Sequence, residues 1–334
     1  MKIAVVGATG AVGQTMLEIL AERGFPATEI VPLASERSAG ETVAYGRRSL
    51  VVKALDDYDF AGTRIALFSP GAKVSAIHAP RAAAAGCVVI DNTSQFRQDP
   101  DVPLVVTEVN PEMIARRPRG IIANPNCSTM QMLVALAPIH RAVGITRINV
   151  ATYQSVSGAG RSGLEALGRE TADLLAFKSP TPGKFPVQIA FNLIPQIDDF
   201  QENGYTKEEM KMVWETRKIL GDDSIQVNPT AVRVPVFYGH SEAVHVETRE
   251  KLGADEARAL LEKAPGVVVV DERRPGGYAT PVTHAAGKDP VFVSRIREDI
   301  SHPRGLAMWI VADNIRKGAA LNAVQIAERV AAEG

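Results

Sequence analysis

The chain has 334 residues, 46% hydrophobic and 22% charged, which is longer than one core usually serves and balanced like a globular protein. Its formal net charge of −1 gives no reason to expect nucleic acid or an anionic membrane as a bulk partner. Cys87 and Cys127 are the only cysteines and make no stabilising framework, which suits a reducing compartment. No apolar run approaches the ~20 residues of a bilayer span, and the first residues have no signal-peptide layout. The cytoplasm is the expected location.

The short aliphatic runs 3–6, 30–34, 65–69, 88–91 and 121–123, bounded by Gly, Asn or Pro, predict buried strands. Between them, 12–23 and 73–85 carry helical spacing. This βαβ alternation predicts an α/β domain of Rossmann type, a doubly wound parallel sheet covered by helices.

The first strand runs into Gly7-Ala8-Thr9-Gly10-Ala11-Val12-Gly13, which opens the first helix. Glycines there let the backbone approach a diphosphate, whose charge sits against free N–H groups at the helix start. Gly7, Thr9, Gly10, Ala11, Val12 and Gly13 are therefore candidate cofactor contacts. At the end of the second strand, where an NAD enzyme commonly has a carboxylate, stands Ser35-Glu36-Arg37-Ser38. Ser35, Arg37 and Ser38 suit a 2′-phosphate and favour NADP, provided that Glu36 points away; the plainer reading is a solvated loop.

From residue 127 the texture changes. A helix is predicted over 128–143, then strands at 148–154, 230–236, 243–248, 267–270, 291–297 and 306–311. Strands with few helices between them predict a mixed or antiparallel sheet in a second, α+β domain. Residues 177–186 read as a loop, and 201–205 with the helix 207–220 as a more exposed insertion. The Ala-rich segment 317–332 is read as a helix that packs back on the first domain. The expected division is 1–126 plus 312–334 for nucleotide binding and 127–311 for catalysis and dimerisation.

In Asn124-Pro125-Asn126-Cys127-Ser128-Thr129 the cysteine lies at a helix N-terminus, where the dipole and free N–H groups favour a thiolate. Cys87 lies in an apolar run and reads as structural. A reactive thiol wants a proton-transfer partner. His78 and His140 fall on helical patterns and read as packing or surface residues. His240 follows a glycine between two strands, a loop position from which it could face Cys127; loop histidines are nevertheless common.

Several segments together resemble the aspartate-semialdehyde dehydrogenase family over essentially the full length: Gly7 to Gly13, Asp91 to Arg97, Asn124 to Thr129, Tyr153 to Gly160, Arg233 to His240, and Asp313-Asn314. The resemblance implies Cys127 as nucleophile, His240 as acid–base, and Gln154 as the residue positioning the acyl intermediate. It implies Arg233 for the substrate α-carboxylate and Glu208 for its ammonium group. Arg97, Lys211 and Asn92 would bind phosphate, and Asn314 the nicotinamide amide. Asn126 is a candidate contact to the oxyanion, and Ser157 and Gly158 to the cofactor. The implied activity is NADPH-linked reduction of β-aspartyl phosphate to aspartate semialdehyde through a Cys127 thioester, in biosynthesis of lysine/diaminopimelate, threonine and methionine. A homodimer is implied and no metal.

Thr93 and Gln95 depart from the small residues usual in that family, and Ser155 from a common Ala. Alignment is loose around Glu208 and Lys211, which could equally form a surface ion pair one helical turn apart. The competing readings are an N-acetyl-glutamyl-phosphate reductase, a glyceraldehyde-phosphate dehydrogenase, and a catalytically silent nucleotide-sensing paralogue.

Overall fold

A computed structural model describes residues 1–181 and 183–333. The chain forms two compact units, one of residues 1–126 with the segment from Gly318 onward, the other of Cys127–Lys317. Residues 312–317, expected with the nucleotide-binding domain, thus belong to the second unit.

The first unit contains, in order, β1 (Lys2–Val6), α1 (Ala11–Glu22), β2 (Glu29–Ala34), β3 (Thr42–Tyr45), β4 (Arg48–Val51), β5 (Lys53–Ala54), β6 (Thr63–Phe68), α2 (Ala72–Ala84), β7 (Val88–Asp91) and β8 (Ile121–Ala123). Its main sheet is parallel throughout, in the order β5-β2-β1-β6-β7-β8. The order reverses about β1, so a crevice opens beyond the carboxyl ends of β1, β2 and β6, where such sheets hold ligands. The β3–β4 hairpin, which periodicity does not predict, buries only Val43 and so lacks an apolar face to announce it.

The second unit contains α3 (Cys127–Val143), β9 (Ile145–Gln154), α4 (Arg161–Leu175), α5 (Lys207–Leu220), β10 (Gln226–Arg233), β11 (His240–Thr248), α6 (Ala254–Glu262), β12 (Val267–Val269), β13 (Val291–Glu298) and β14 (Gly305–Ala312). The sheet order is β10-β9-β11-β14-β13-β12, with both outer pairs parallel and the inner pairs antiparallel. Strict alternation in β9 buries Ile148, Val150, Thr152 and Gln154 on one face. On the other face Tyr153 packs against Trp309 of β14, with ring centroids 5.5 Å apart.

Three expectations need correction here. The strand expected at 230–236 ends at Arg233 and begins at Gln226; β10 is an edge strand and so tolerates Pro229. Helix α5 is no exposed insertion, since it buries Glu208, Glu209, Met212, Val213, Glu215, Thr216 and Ile219. Its start is fixed by a reciprocal cap between Thr206 and Glu209, and its end by Gly221 in the left-handed conformation. Helices α4 and α6 are additions. In α4, Gly163 permits close approach, because a Cβ there would lie 2.4 Å from the Val156 carbonyl oxygen. Residues 177–186 are irregular around Pro182, which lies outside the described residues.

The chain returns to the first unit in α7 (Asn322–Ala332), whose Val324, Ile326 and Val330 join Leu17, Leu20, Ile65 and Leu67 in one core. Among the described residues no helix is long and apolar enough to cross a membrane.

Candidate active site

In the first unit, β1 delivers the chain into a turn that only glycine fits. Gly7 has φ +82°, and a Cβ on it would lie 2.9 Å from the Ser69 backbone. A Cβ on Gly13 would lie 2.2 Å from the Gly7 carbonyl oxygen, so this contact fixes how closely α1 approaches the turn. Gly10 is the residue before α1, and the amides of Ala11, Val12 and Gly13 form the first turn, where no intrahelical acceptor exists. Beside this turn lies a cavity of about 480 Å³, reached by Gly7, Thr9, Gly10, Ser35, Asp56 and His78 among others. Backbone donors, a hydroxyl and an apolar wall from Leu55, Val74 and Ile77 fit a dinucleotide's diphosphate and adenosine.

His78 is a buried residue of α2, as its helical pattern implied. It lines this cavity, with Nε2 3.2 Å from Asp56 Oδ1, and burial followed by the Arg81 charge lowers its pKa. Leu55, Asp56 and Ile77 were invisible in the sequence, because they reach the cavity from elements far from the glycine turn. Arg37 and Glu36 sit in an exposed turn after β2, as do Ser35 and Ser38 around them, with Ser38 the less exposed. His140 instead accepts the Ile145 N–H on Nδ1, a structural role.

The 91–97 segment is built around a buried carboxylate. Asp91 accepts from Ser75 Oγ at 2.9 Å, Thr93 N at 3.0 Å and Thr93 Oγ1 at 2.8 Å. Thr93 therefore shapes the turn itself, which explains a β-branched hydroxyl at that position. Burial nonetheless raises the Asp91 pKa, the Thr93 and Ser75 hydrogen bonds opposing it. Arg97 is buried and anchored by Nη2 to the Asn92 carbonyl at 2.7 Å. The Asn92 side chain accepts from Asn124 Nδ2, which belongs to the NPNCST segment.

In the second unit, strands β9, β10 and β11 end side by side and bring three predicted residues together. Gln154 closes β9, Arg233 closes β10 in register with it, and His240 opens β11. Cys127 is half-buried at the start of α3, and its charge and that of Glu208 oppose the lowering of the Arg233 pKa by burial. Gln131, one turn along α3 from Cys127, donates to the His240 carbonyl oxygen at 3.4 Å. A Cβ on Gly158 would lie 2.9 Å from Arg233 Nη1 and 3.3 Å from His240 Nε2, so Gly158 holds open the space where both side chains arrive.

His240 is fully buried. Its Nδ1 accepts the Ser155 N–H at 3.1 Å and lies 3.0 Å from Ser155 Oγ, while Nε2 has no hydrogen-bond partner among the described residues. Burial and then the Arg233 charge hold its pKa well below the usual histidine value. The neutral ring with Nδ1 as acceptor carries its hydrogen on Nε2.

Glu208 meets Gln154 Nε2 at 3.2 Å through one oxygen and Lys211 Nζ at 2.9 Å through the other. Lys211 also reaches Asp198 at 2.8 Å. Neither Glu208 nor Lys211 is a surface residue: burial acts against the lysine charge, and the two carboxylates outweigh it and raise its pKa. Arg233 is tied by Nη1 to the Ser155 carbonyl at 2.8 Å, which aims the guanidinium.

Asn314, the candidate contact to the nicotinamide amide, is buried and held on both sides of its amide group. Its Oδ1 accepts from Ser155 Oγ, Ser157 Oγ and Gly239 N at 3.0–3.1 Å, and its Nδ2 donates to Ser157 Oγ at 3.0 Å. The side chain ties the 155–158 loop to the turn before β11. Among the described residues no group of His, Cys, Asp and Glu is arranged to hold a metal.

The family described as semialdehyde dehydrogenase, NAD binding domain, matches residues 2–117, and the semialdehyde dehydrogenase dimerisation domain matches residues 136–317. The aspartate-semialdehyde dehydrogenase of Legionella pneumophila is 60% identical over 98% of this chain and 95% of its own. That of Aquifex aeolicus is 54% identical over 100% of this chain and 98% of its own. The crystal structure of aspartate semialdehyde dehydrogenase II from Vibrio cholerae, complexed with ASA, superposes with a TM-score of 0.97 at 58% identity, covering 99% of this chain and 98% of that one. Motifs, fold and site geometry thus agree with full-length similarity, and the chain belongs to the semialdehyde dehydrogenase family.

Proposed function

We propose that this chain interconverts β-aspartyl phosphate and aspartate semialdehyde with NADP(H) and phosphate, through a thioester on Cys127. The observation that carries this reading is the buried group Gln154, Glu208, Arg233 and His240 in the unit that Cys127 opens. In it a guanidinium and a carboxylate suit the two ends of an amino acid.

In the reductive direction the Cys127 sulfur forms a bond to the acyl carbon and phosphate leaves. Covalent catalysis divides one difficult step into two easier ones. The N-terminus of α3, the positive end of its dipole, is a candidate to stabilise the oxyanion, with the Asn126 side chain beside it in sequence. When bound, NADPH supplies the hydride that reduces the thioester. His240 donates the Nε2 proton to the oxygen that develops charge; in the collapse that follows it takes that proton back, the C–S bond breaks, and aspartate semialdehyde leaves with the Cys127 thiolate restored. Arg233 holds the α-carboxylate, and Glu208 faces the α-ammonium. Arg97, Asn92 and Lys211 are assigned to phosphate on the family pattern. The glycine turn and cavity of the first unit take the cofactor's diphosphate and adenosine, with Ser35, Arg37 and Ser38 reading the 2′-phosphate.

Glu208 separates this reading from an N-acetyl-glutamyl-phosphate reductase, since an acetylated amine has no charge for a buried carboxylate to meet. We further propose a cytoplasmic homodimer formed through the second unit, serving lysine/diaminopimelate, threonine and methionine biosynthesis. The deciding assay offers aspartate semialdehyde, N-acetyl-glutamate semialdehyde and glyceraldehyde 3-phosphate, each with phosphate and either NADP or NAD. Preference for either of the latter two aldehydes would overturn the substrate assignment.

A further inference from the structure

Ser155 has no task in the chemistry described so far, yet it is hydrogen-bonded to the acid–base residue. It is fully buried, and both its amide and its hydroxyl lie against the same ring nitrogen of His240, at 3.1 and 3.0 Å. The hydroxyl also lies 3.0 Å from Asn314 Oδ1 and 3.0 Å from Ser157 Oγ.

An acid–base histidine needs two states at Nε2. As an acid it carries the hydrogen there, and Nδ1 is then bare and accepts a hydrogen bond. As a base Nε2 must be bare, and the hydrogen then resides on Nδ1, as it also does in the imidazolium. The Ser155 amide is always a donor, so it stabilises the first state and opposes the others. A hydroxyl can turn. When Nδ1 carries hydrogen, Ser155 Oγ accepts it and passes its own hydrogen to Asn314 Oδ1, with which it is already within bonding distance.

We propose that Ser155 is a positioning residue for His240, its hydroxyl accepting the Nδ1 hydrogen so that one buried ring can serve as both acid and base. The step moves protons only: the Cys127 S–H proton passes to a bare Nε2, and the imidazolium keeps Nδ1–H on Ser155 Oγ.

The charged groups around the ring make this acceptor important. Arg233, from the end of β10, opposes a positive ring. Cys127, at the start of α3, interacts with the Arg233 charge, and Glu208 and Lys211 of α5 reach the site through Gln154 and Arg233. Glu242, next but one along β11, is buried without a hydrogen bond to the ring, and Asp313 after β14 is turned to the amides of Gly287, Ile315 and Arg316. Among the described residues, therefore, no carboxylate is hydrogen-bonded to His240, and Ser155 takes the place such a partner would fill.

This inference rests on the reading of Cys127 and His240 as a thiol–imidazole pair, so its test uses no substrate. The rate of Cys127 alkylation by iodoacetamide is followed against pH in the wild type, S155A, H240A and the double variant; Cys87 is buried with its pKa pushed up to about 11 and does not compete. S155A is expected to raise the apparent thiol pKa by about one unit, a tenfold slower reaction at neutral pH, with melting temperature and NADP binding unchanged. H240A is expected to raise it at least as far, and the double variant to match H240A. Long-range nitrogen-15 spectra of the ring should show S155A locked with hydrogen on Nε2. A wild-type alkylation profile in S155A, with H240A shifted, overturns the role of Ser155 alone. An unshifted H240A overturns the thiol–imidazole pair and Ser155 with it.

Discussion

Cys87 and Cys127 are the same side chain in two settings, and they show how far setting decides chemistry. Cys87 precedes β7, is almost wholly buried, and donates to the Thr63 carbonyl at 2.9 Å. Burial pushes its pKa up to about 11, and the Lys2 charge pulls back only weakly. Cys127 is half-buried, opens a helix of seventeen residues, and lies within the field of the Arg233 guanidinium. One thiol meets carbonyl oxygen, which stabilises the protonated form. The other opens a helix and interacts with a cation, a setting in which a thiolate is favoured.

The sharpest way to break this contrast is to exchange the residues' fates. Cys127→Ala should abolish phosphate-dependent NADP reduction by aspartate semialdehyde, a loss of at least ~10³-fold in kcat with NADP still bound. Measurable turnover near the wild-type rate would refute the covalent scheme. Cys87→Ala, assayed in parallel, should leave kcat and KM unchanged and cost stability by roughly 1 kcal/mol, read from urea unfolding.

Next in size is His240→Ala, with an expected fall of ~10²-fold or more in kcat and unaltered NADP affinity by fluorescence titration. A change confined to KM would assign the ring to binding instead. Gly158→Ala tests the space that His240 and Arg233 share. A Cβ there must displace the Arg233 guanidinium from 2.9 Å, so KM for aspartate semialdehyde should rise by about tenfold. An unchanged KM would show that Arg233 has room to adjust without losing the substrate.

The glycine turn, the helix-opening cysteine and the strand-ending Arg233 to His240 segment were legible because each is a local pattern with a physical reason. The parallel sheet was legible for the same reason, as short aliphatic runs bounded by turn residues. Helix α4 was not. Gly163 and Gly168 lie within it and weaken the helical signal, although Gly163 is there to let the helix approach the Val156 carbonyl. The burial of Glu208 and Lys211 was also hidden, because a Glu–Lys pair one turn apart looks the same on a surface as in a core. The cavity that His78 lines was hidden, since it is assembled from the ends of β1 and β2 and from α2, which no single window of sequence contains. Ser155 was visible as an anomaly. Its meaning needed the partner ring, eighty-five positions away in the chain.

The same desolvation that raises Cys87 acts on Glu242, and this gives the smallest and most specific prediction. Glu242 lies on β11, is fully buried, and has neither oxygen satisfied by hydrogen-bonding geometry among the described residues. Burial holds its carboxyl well above the ordinary value, with the neighbouring Gln131 amide pulling the other way. The native state therefore keeps a proton that the unfolded chain releases above about pH 4.5, so this group's contribution to stability declines as pH rises through that window. Glu242→Gln supplies a neutral side chain of the same shape and removes the dependence. Relative to the wild type it should be close to neutral in urea unfolding at pH 5 and more stable at pH 8. An equal difference at both pH values would mean that Glu242 is ionised in the folded protein. Burial would then fail to govern this carboxyl as it governs Cys87, and the case for desolvation as the divide between the two thiols would need a second cause.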